Sequence, residues 1–258
     1  MSRITVLAIV LALIQFTSFA DEQLSSTEVS AQAIEVDEPI VISTPRQALN
    51  FRDMTIRPSK KFVGEAVMIL KASAGRLGWT TLRDIEIVGR EGIECDGIIV
   101  DHCNDTNIET VFVHHLRGCG ISVRSCNNCR LHHVSVVACG DLQKQRPGIE
   151  FTGTDRRTLN GNSGEEGNFV LFNSSISEQN EYYQVIANAQ VNLFMSGGTK
   201  LHGMWPTSSK CLGLLKLTDC RRVSLTSVFY TRSEKKLLQD NCIDVRNIDP
   251  IDGPSGEK

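Results

Sequence analysis

Beyond its first twenty residues the chain has no long apolar run, and nowhere does it carry a stripe of Lys and Arg. The first absence excludes a later membrane-spanning helix, which needs ~20 consecutive apolar residues. The second, with a formal net charge of −3, argues against nucleic acid as a partner, because phosphate binding leaves a basic footprint. A zinc pattern is missing too: Cys126 and Cys129 form a CxxC, but no second such pair and no His-x-His spacing follows. No metal and no cofactor is expected.

What is present starts with a leader. Arg3, the apolar run Ile4 to Phe16, and Ser18-Phe19-Ala20 ahead of Asp21 have the layout of a secretory signal peptide over residues 1–20. The expectation is an exported protein: secreted, periplasmic or at the cell surface. Nine cysteines permit disulfides without requiring them, since the number is odd and the chain of 258 residues is not small. Residues 21–45, rich in Ser, Glu, Gln and Ala, read as a linker or N-terminal cap. Residues 248–258 read as a polar tail. Between them, 46–247 is long enough for one β-rich domain with a single core.

That central segment repeats. Phe51-Arg52-Asp53-Met54-Thr55-Ile56 echoes Leu82-Arg83-Asp84-Ile85-Glu86-Ile87, and Gly97-Ile98-Ile99-Val100-Asp101-His102-Cys103 echoes Gly120-Ile121-Ser122-Val123-Arg124-Ser125-Cys126. Leu215 to Cys220 copies the second unit, and Gly148 to Thr152 and Tyr183 to Val185 copy it in part. The two units keep a fixed distance: Ile98 to Ile108, Ile121 to Leu131, Tyr183 to Leu193 and Leu215 to Leu225 are each ten residues. Extra length gathers elsewhere, as in the insertion 154–167. Constant strand spacing with insertions at one turn is solenoid behaviour. No ten-residue helical pattern lies between the strands, so a leucine-rich α/β solenoid is excluded. The anchors Phe51, Leu82, Ile108, Leu131, Leu171, Leu193 and Leu225 predict an all-β, right-handed parallel β-helix of about seven coils.

The period of two places Ile98, Val100, Ile121 and Val123 inward, and Ile99, Asp101 and Ser122 outward. Cys103, Cys126, Asn188 and Cys220, each five residues after the first strand position, are expected to stack as a ladder. A second turn row, Asp53, Asp84, Thr110, His133, Asn173 and Ser227, consists mostly of short polar residues that can bond backbone groups at a bend.

The segments Asp96-Gly97-Ile98-Ile99-Val100 and Asn168 to Ile176 resemble the repeats of the pectate-lyase-like superfamily of right-handed β-helices. That resemblance spans roughly 50–245 and implies polysaccharide chemistry without fixing it, since the superfamily includes lyases, polygalacturonases, epimerases, phage tailspikes and non-catalytic surface proteins. Asp96-Gly97-Ile98 is similar to the Asn-Thr-Asp-Gly-Ile stretch of polygalacturonases, whose aspartate is one of three acids. The other family positions fall on Gly118, Cys119 and Pro147. An inverting hydrolase needs one acid for the leaving oxygen and a second, ~6.5–9.5 Å away, for water. Hydrolysis by that site is therefore disfavoured.

A lyase or epimerase needs a base near the sugar C5 proton and a cation for the uronate carboxylate. The outward row of the first strand and its edges offer Asp96, Asp101, Arg124, Glu150, Gln184 and Lys216 as a groove for an acidic polysaccharide. The neighbouring turns add Lys144, Arg146, Arg156, Arg157, Glu165 and Glu166. The alternative is a non-catalytic solenoid that binds glycan or protein, with these charges merely solvated. The pairs His114-His115 and His132-His133 are not expected to ligate a metal, because consecutive strand residues face opposite sides.

Overall fold

A computed structural model describes residues 33–153, 168–177, 182–188, 191–202, 212–231 and 236–252. The leader expected over 1–20, the insertion 154–167 with Arg156, Arg157, Glu165 and Glu166, and residues 253–258 lie outside the described residues. No described segment is helical, and every named strand pair is parallel, giving a β-solenoid of about seven turns. No helix among the described residues is long and apolar enough to cross a membrane.

Two sheets carry the solenoid. The narrow sheet has eight strands: Ile40–Ile42, Ala66–Leu70, Asp96–Asp101, Ile121–Arg124, Ile149–Thr152, Tyr183–Asn188, Gly213–Thr218 and Leu237–Asp240. The broad sheet has thirteen, along a main path Ile34–Val36, Ala48–Pro58, Thr81–Val88, Asn107–His114, Cys129–Val137, Asn168–Phe172, Asn192–Ser196, Arg221–Thr226 and Ile243–Ile248. Each coil contributes one strand to the narrow sheet and one to the main path of the broad sheet, and the later coils add a second short strand to the broad sheet. The first strands, Ile34–Val36 and Ile40–Ile42, pair onto Ile56–Pro58 and Met68–Leu70. The solenoid therefore begins inside the segment 21–45 read as linker or cap, because three-residue strands are too short to stand out as alternation.

The inward rows build the core. Ile98, Ile121 and Ile149 are stacked in register, as are Val100, Val123 and Phe151, and all six are fully buried. Each such side chain contributes ~1.5–3 kcal/mol, available only when the neighbouring coil covers it. Glycine precedes the first inward isoleucine of the strand because coils approach closely there. A Cβ at Gly97 would sit 2.5 Å from the Gly120 carbonyl oxygen, and one at Gly120 would sit 2.5 Å from Val136 Cγ1.

The long broad-sheet strands turn a corner at the polar row: Asp53, Asp84, Thr110, His133, Asn173 and Ser227 all have φ between 44 and 61°. That left-handed conformation is disfavoured for most L-residues and tolerated best by short polar ones. A single such residue bends the strand and splits it between two outward faces. Composition at one repeat position thus sets the cross-section.

Three pairings differ from the sequence expectation. Val185, not Tyr183, stacks on Ile149, and Met195, not Leu193, pairs with Leu225. Both strands of this coil slip by two, so the ten-residue spacing and the inward parity survive. The same slip removes Asn188 from the cysteine row: it lies within the strand, between Thr152 and Thr218. Leu49 rather than Phe51 pairs with Leu82, because a bulge between Asn50 and Met54 absorbs Phe51, which remains buried.

The expected cysteine ladder is therefore interrupted: Cys103 and Cys126 stack on adjacent coils, and Cys220 stands apart with two coils between. The Cys103, Cys126 and Cys220 thiols donate to the carbonyls of Leu70, Val100 and Ala187, the inward row one coil earlier, at 3.3, 3.3 and 3.1 Å. None of the eight described cysteines is in a disulfide, and seven are buried. Burial pushes the Cys95, Cys139 and Cys220 thiols up to about 12, so they pack as neutral apolar groups.

Candidate functional site

The outward face of the narrow sheet is where the sequence places its charged candidates. Asp96 opens its strand, and its side chain is only 6% exposed. Its Oδ1 accepts the backbone N–H of Cys119 at 2.9 Å. Its Oδ2 accepts Arg124 Nη2 at 3.4 Å and pairs with the Arg146 guanidinium. One carboxylate thus binds two guanidiniums and a backbone amide. Both oxygens are engaged within the protein, so Asp96 organises the site.

Arg146 is delivered by a loop that folds back over the strands. Asp141 and Arg146 exchange backbone hydrogen bonds of 3.0 and 2.8 Å, and the Asp141 carboxylate accepts the Lys144 N–H at 2.9 Å. Lys144 also pairs with Glu94. Burial alone would lower the Arg146 pKa; the Asp96 carboxylate outweighs it and holds the guanidinium charged. Leu142 from the same loop packs on Tyr182, Tyr183 and Ile186.

Arg124 lies beside Asp101 on one coil and Thr152 on the next, as the repeat implies. It is held more tightly than an exposed side chain would be. Its Nε donates to Ser122 Oγ at 2.9 Å, Nη1 lies 3.6 Å from Glu65, and the side chain is 32% exposed. Ser122 in turn lies 3.5 Å from Glu150 Oε2. A guanidinium fixed by three partners retains open N–H groups in a set geometry, which suits a planar carboxylate better than a free lysine would.

A second group lies one coil back. Asp101 Oδ2 meets Lys71 Nζ at 2.7 Å and Oδ1 meets His102 Nδ1 at 2.6 Å. Burial alone would raise the Asp101 carboxyl; hydrogen bonds from Lys71 and His102 outweigh it and hold it below the ordinary range. The contact suits Nδ1–H donation to Asp101, a tautomer in which Nε2 is the acceptor, on a ring 42% exposed. The backbone N–H of His102 donates to the Arg124 carbonyl at 3.0 Å, which ties the His102 main chain to the arginine coil.

The structure therefore gathers Asp96, Arg124, Glu150 and Asp101. It does not bring in Gln184, which is fully buried: the two-residue slip puts Ile186 between Glu150 and Lys216 instead. Lys216 lies two strand spacings, ~9.6 Å, from Glu150, with its Nζ 5.9 Å from the Tyr183 ring centroid. His102, Lys71, Glu65 and Ser122 were not among the sequence candidates. Strict alternation turns His102 away from Asp101, but its φ of 52° bends the chain and returns the ring to its neighbour's side. A polar residue just ahead of the ladder cysteine was the available signal, repeated at Ser125 and Asp219, whose φ is 52 and 53°.

No family profile matches this chain, and no curated protein matches it. In fold it is similar to two phage proteins. It superposes on ORF18 of Geobacillus virus E2 with a TM-score of 0.61 at 10% identity, covering 86% of this chain and 50% of that one. It superposes on the enzymatically active domain of bacteriophage CBA120 tailspike protein 2 with a TM-score of 0.52 at 9% identity, covering 86% and 39%. At such identities the likeness is one of fold. The chain spans half the length of the first and less of the second.

Proposed function

We propose that the protein is exported and binds an acidic polysaccharide along the narrow-sheet face, removing the proton next to a uronate carboxylate as a lyase or epimerase does. The observation that carries this reading is the His102–Asp101 pair beside Arg124. Arg124 grips the carboxylate, which makes the adjacent C–H more acidic, and His102 Nε2 accepts that proton while Asp101 stabilises the resulting imidazolium. In elimination the C–H electron pair forms the C4=C5 bond as the C4–O bond breaks, and the departing glycosidic oxygen takes a proton from the His102 imidazolium or from water. In epimerisation no bond to oxygen breaks: water delivers a proton to the other face of C5 and the His102 imidazolium returns its own to solvent. The tailspike domain's description as enzymatically active supports an enzyme on this fold; the substrate class rests on the groove's charges.

One observation favours a second reading, a non-catalytic glycan-binding module. Asp96 already neutralises one charge of the Arg124–Arg146 pair, and Glu65 and Glu150 lie close by.

One experiment separates them. Alginate and polygalacturonate are incubated with the purified protein, following binding by calorimetry, unsaturated products by ultraviolet absorbance and epimerisation by proton NMR. His102→Gln should lower turnover by ~10²–10⁴-fold with binding retained. Binding with no product of either kind in wild type would leave the module reading, and no binding at all would end both.

A further inference from the structure

The broad sheet carries a different surface. Among the described residues, the exposed phenylalanines Phe112, Phe172 and Phe194 all lie on its outward face, 37, 38 and 44% exposed. Beside Phe172 runs an open groove of about 340 Å³, lined by Asn107, Glu109, Arg130, His132, Val170 and Phe172 among others, and Phe194 stands one strand beyond Val170. The register orders these side chains. Asn107, Arg130, Val170 and Phe194 form one row, and Glu109, His132 and Phe172 the next. Across the four coils the rows span ~14 Å, three strand spacings.

We propose that this groove is a second binding site, for a neutral glycan chain. The Phe172 ring is held in place, packed over Gly197, where any Cβ would collide with it, and set 4.9 Å from the His132 ring. His132 is itself stacked on His133 at 4.0 Å. A preorganised aromatic face attracts the C–H edge of a pyranose ring, whose hydrogens carry partial positive charge. The groove's polar groups decide what else the ligand must offer. The Arg130 and Glu109 side chains face it with no ion-pair or hydrogen-bond partner among the described residues. The complement of one open cation, one open anion and an amide is a ligand with no net charge whose neighbouring groups both donate and accept. Sugar hydroxyls do this. An apolar protein surface or a bilayer would leave both charges buried and unpaired, at a cost of several kcal/mol each. A uronate chain would meet Glu109 as a like charge.

This site is independent of the narrow-sheet reading, and its test keeps the two apart. The purified protein is titrated calorimetrically with dextran, mannan and mixed-linkage β-glucan, and separately with alginate. At least one neutral polymer should bind. Phe194→Ala and Arg130→Ala, both at exposed positions, should each weaken that binding at least ~10-fold, equivalent to ~1.4 kcal/mol, with the melting temperature and alginate binding unchanged. Arg124→Ala should leave neutral-glycan binding intact. The proposal is overturned if no neutral polymer binds, if both variants bind like wild type, or if Phe194→Ala alters only the sedimentation-determined mass, which would make the face a self-association surface.

Discussion

On the narrow sheet the outward residues Ile99 and Ser122 are as buried as the core, at 1 and 0% exposure, whereas on the broad sheet Phe172 and Phe194, equally outward, are 38 and 44% exposed. Both pairs obey the same alternation, and Ile99 stays outside the contiguous core despite its burial. The difference lies in what covers each face. A loop closed between Asp141 and Arg146 brings a guanidinium onto the narrow sheet, and the coil edges supply Glu65, Lys71 and Asp96 to pair across it. Such partly desolvated charges hold one another in place, because an unpaired partner would cost more than an exposed one. Among the described residues the groove on the broad sheet has no such ion pairs, and the Arg130 and Glu109 side chains stay open there. Parity tells which way a side chain points; the turns decide whether water reaches it.

The largest expected effect tests the parity itself. Val123 is inward and fully buried. Val123→Asp places an unpaired carboxylate among stacked aliphatic rows and should cost ~4 kcal/mol or more. Thermal unfolding measures it, and a melting temperature within error of wild type would refute the register on which both faces depend.

Next in size is the anchor of the narrow face. Asp96→Ala leaves the Arg146 and Arg124 guanidiniums and the Cys119 N–H without their shared acceptor, and should cost ~2–4 kcal/mol. Replacing Glu109, the open carboxylate of the other face, should change stability by less than ~0.5 kcal/mol. Equal losses from urea denaturation of Asp96→Ala and Glu109→Ala would erase the distinction between a paired and an open face.

How much of this was legible in the sequence follows from the same distinction. The fold was, because a solenoid writes its geometry into spacing: ten residues between strand anchors, and polar residues at the bends that require φ near 50°. The coil at 183–196 misled by two residues because Tyr183, Val185, Leu193 and Met195 are all apolar and satisfy either register. The site was only half legible. Asp96, Asp101, Arg124 and Glu150 could be named from the outward row, but their partners Lys71, Glu65 and His102 come from turns and coil edges, where no periodicity reports direction.

Arg124 separates recognition from scaffolding on the narrow face. Arg124→Ala should weaken binding of an acidic glycan at least ~10-fold, ~1.4 kcal/mol. Its bonds to Ser122, Asp96 and Glu65 mean that stability also falls, by about 1 kcal/mol. Arg124→Lys should recover charge and most of the stability but not the two-pronged contact, so affinity should stay low. Full recovery of affinity by lysine would show that only charge matters there.

The smallest effect concerns the edge where the covered face meets solvent. The Asp101 carboxyl is itself only 15% exposed, but Lys71 and the His102 ring are 55 and 42% exposed, so the group should contribute no more than about 1 kcal/mol. Its sign is set by the direction of the shift. Burial opposes the charged form, the hydrogen bonds from Lys71 and His102 favour it more strongly, and the folded pKa lies below the ordinary 3.8. A carboxyl depressed in this way contributes its stability in full above the unfolded value and loses it as pH falls through the folded one. The stability gap between wild type and Asp101→Asn should therefore be constant near neutral pH and close as pH drops below about 4. Other carboxyls titrate alike in both proteins, including Glu86, which the Thr55 hydroxyl chiefly and His114 further hold low. The difference between the two curves isolates Asp101. A gap that widened on acidification, or stayed fixed to pH 2, would mean that the Lys71–Asp101–His102 group does not form in solution, and His102 would lose the partner that orients its Nε2.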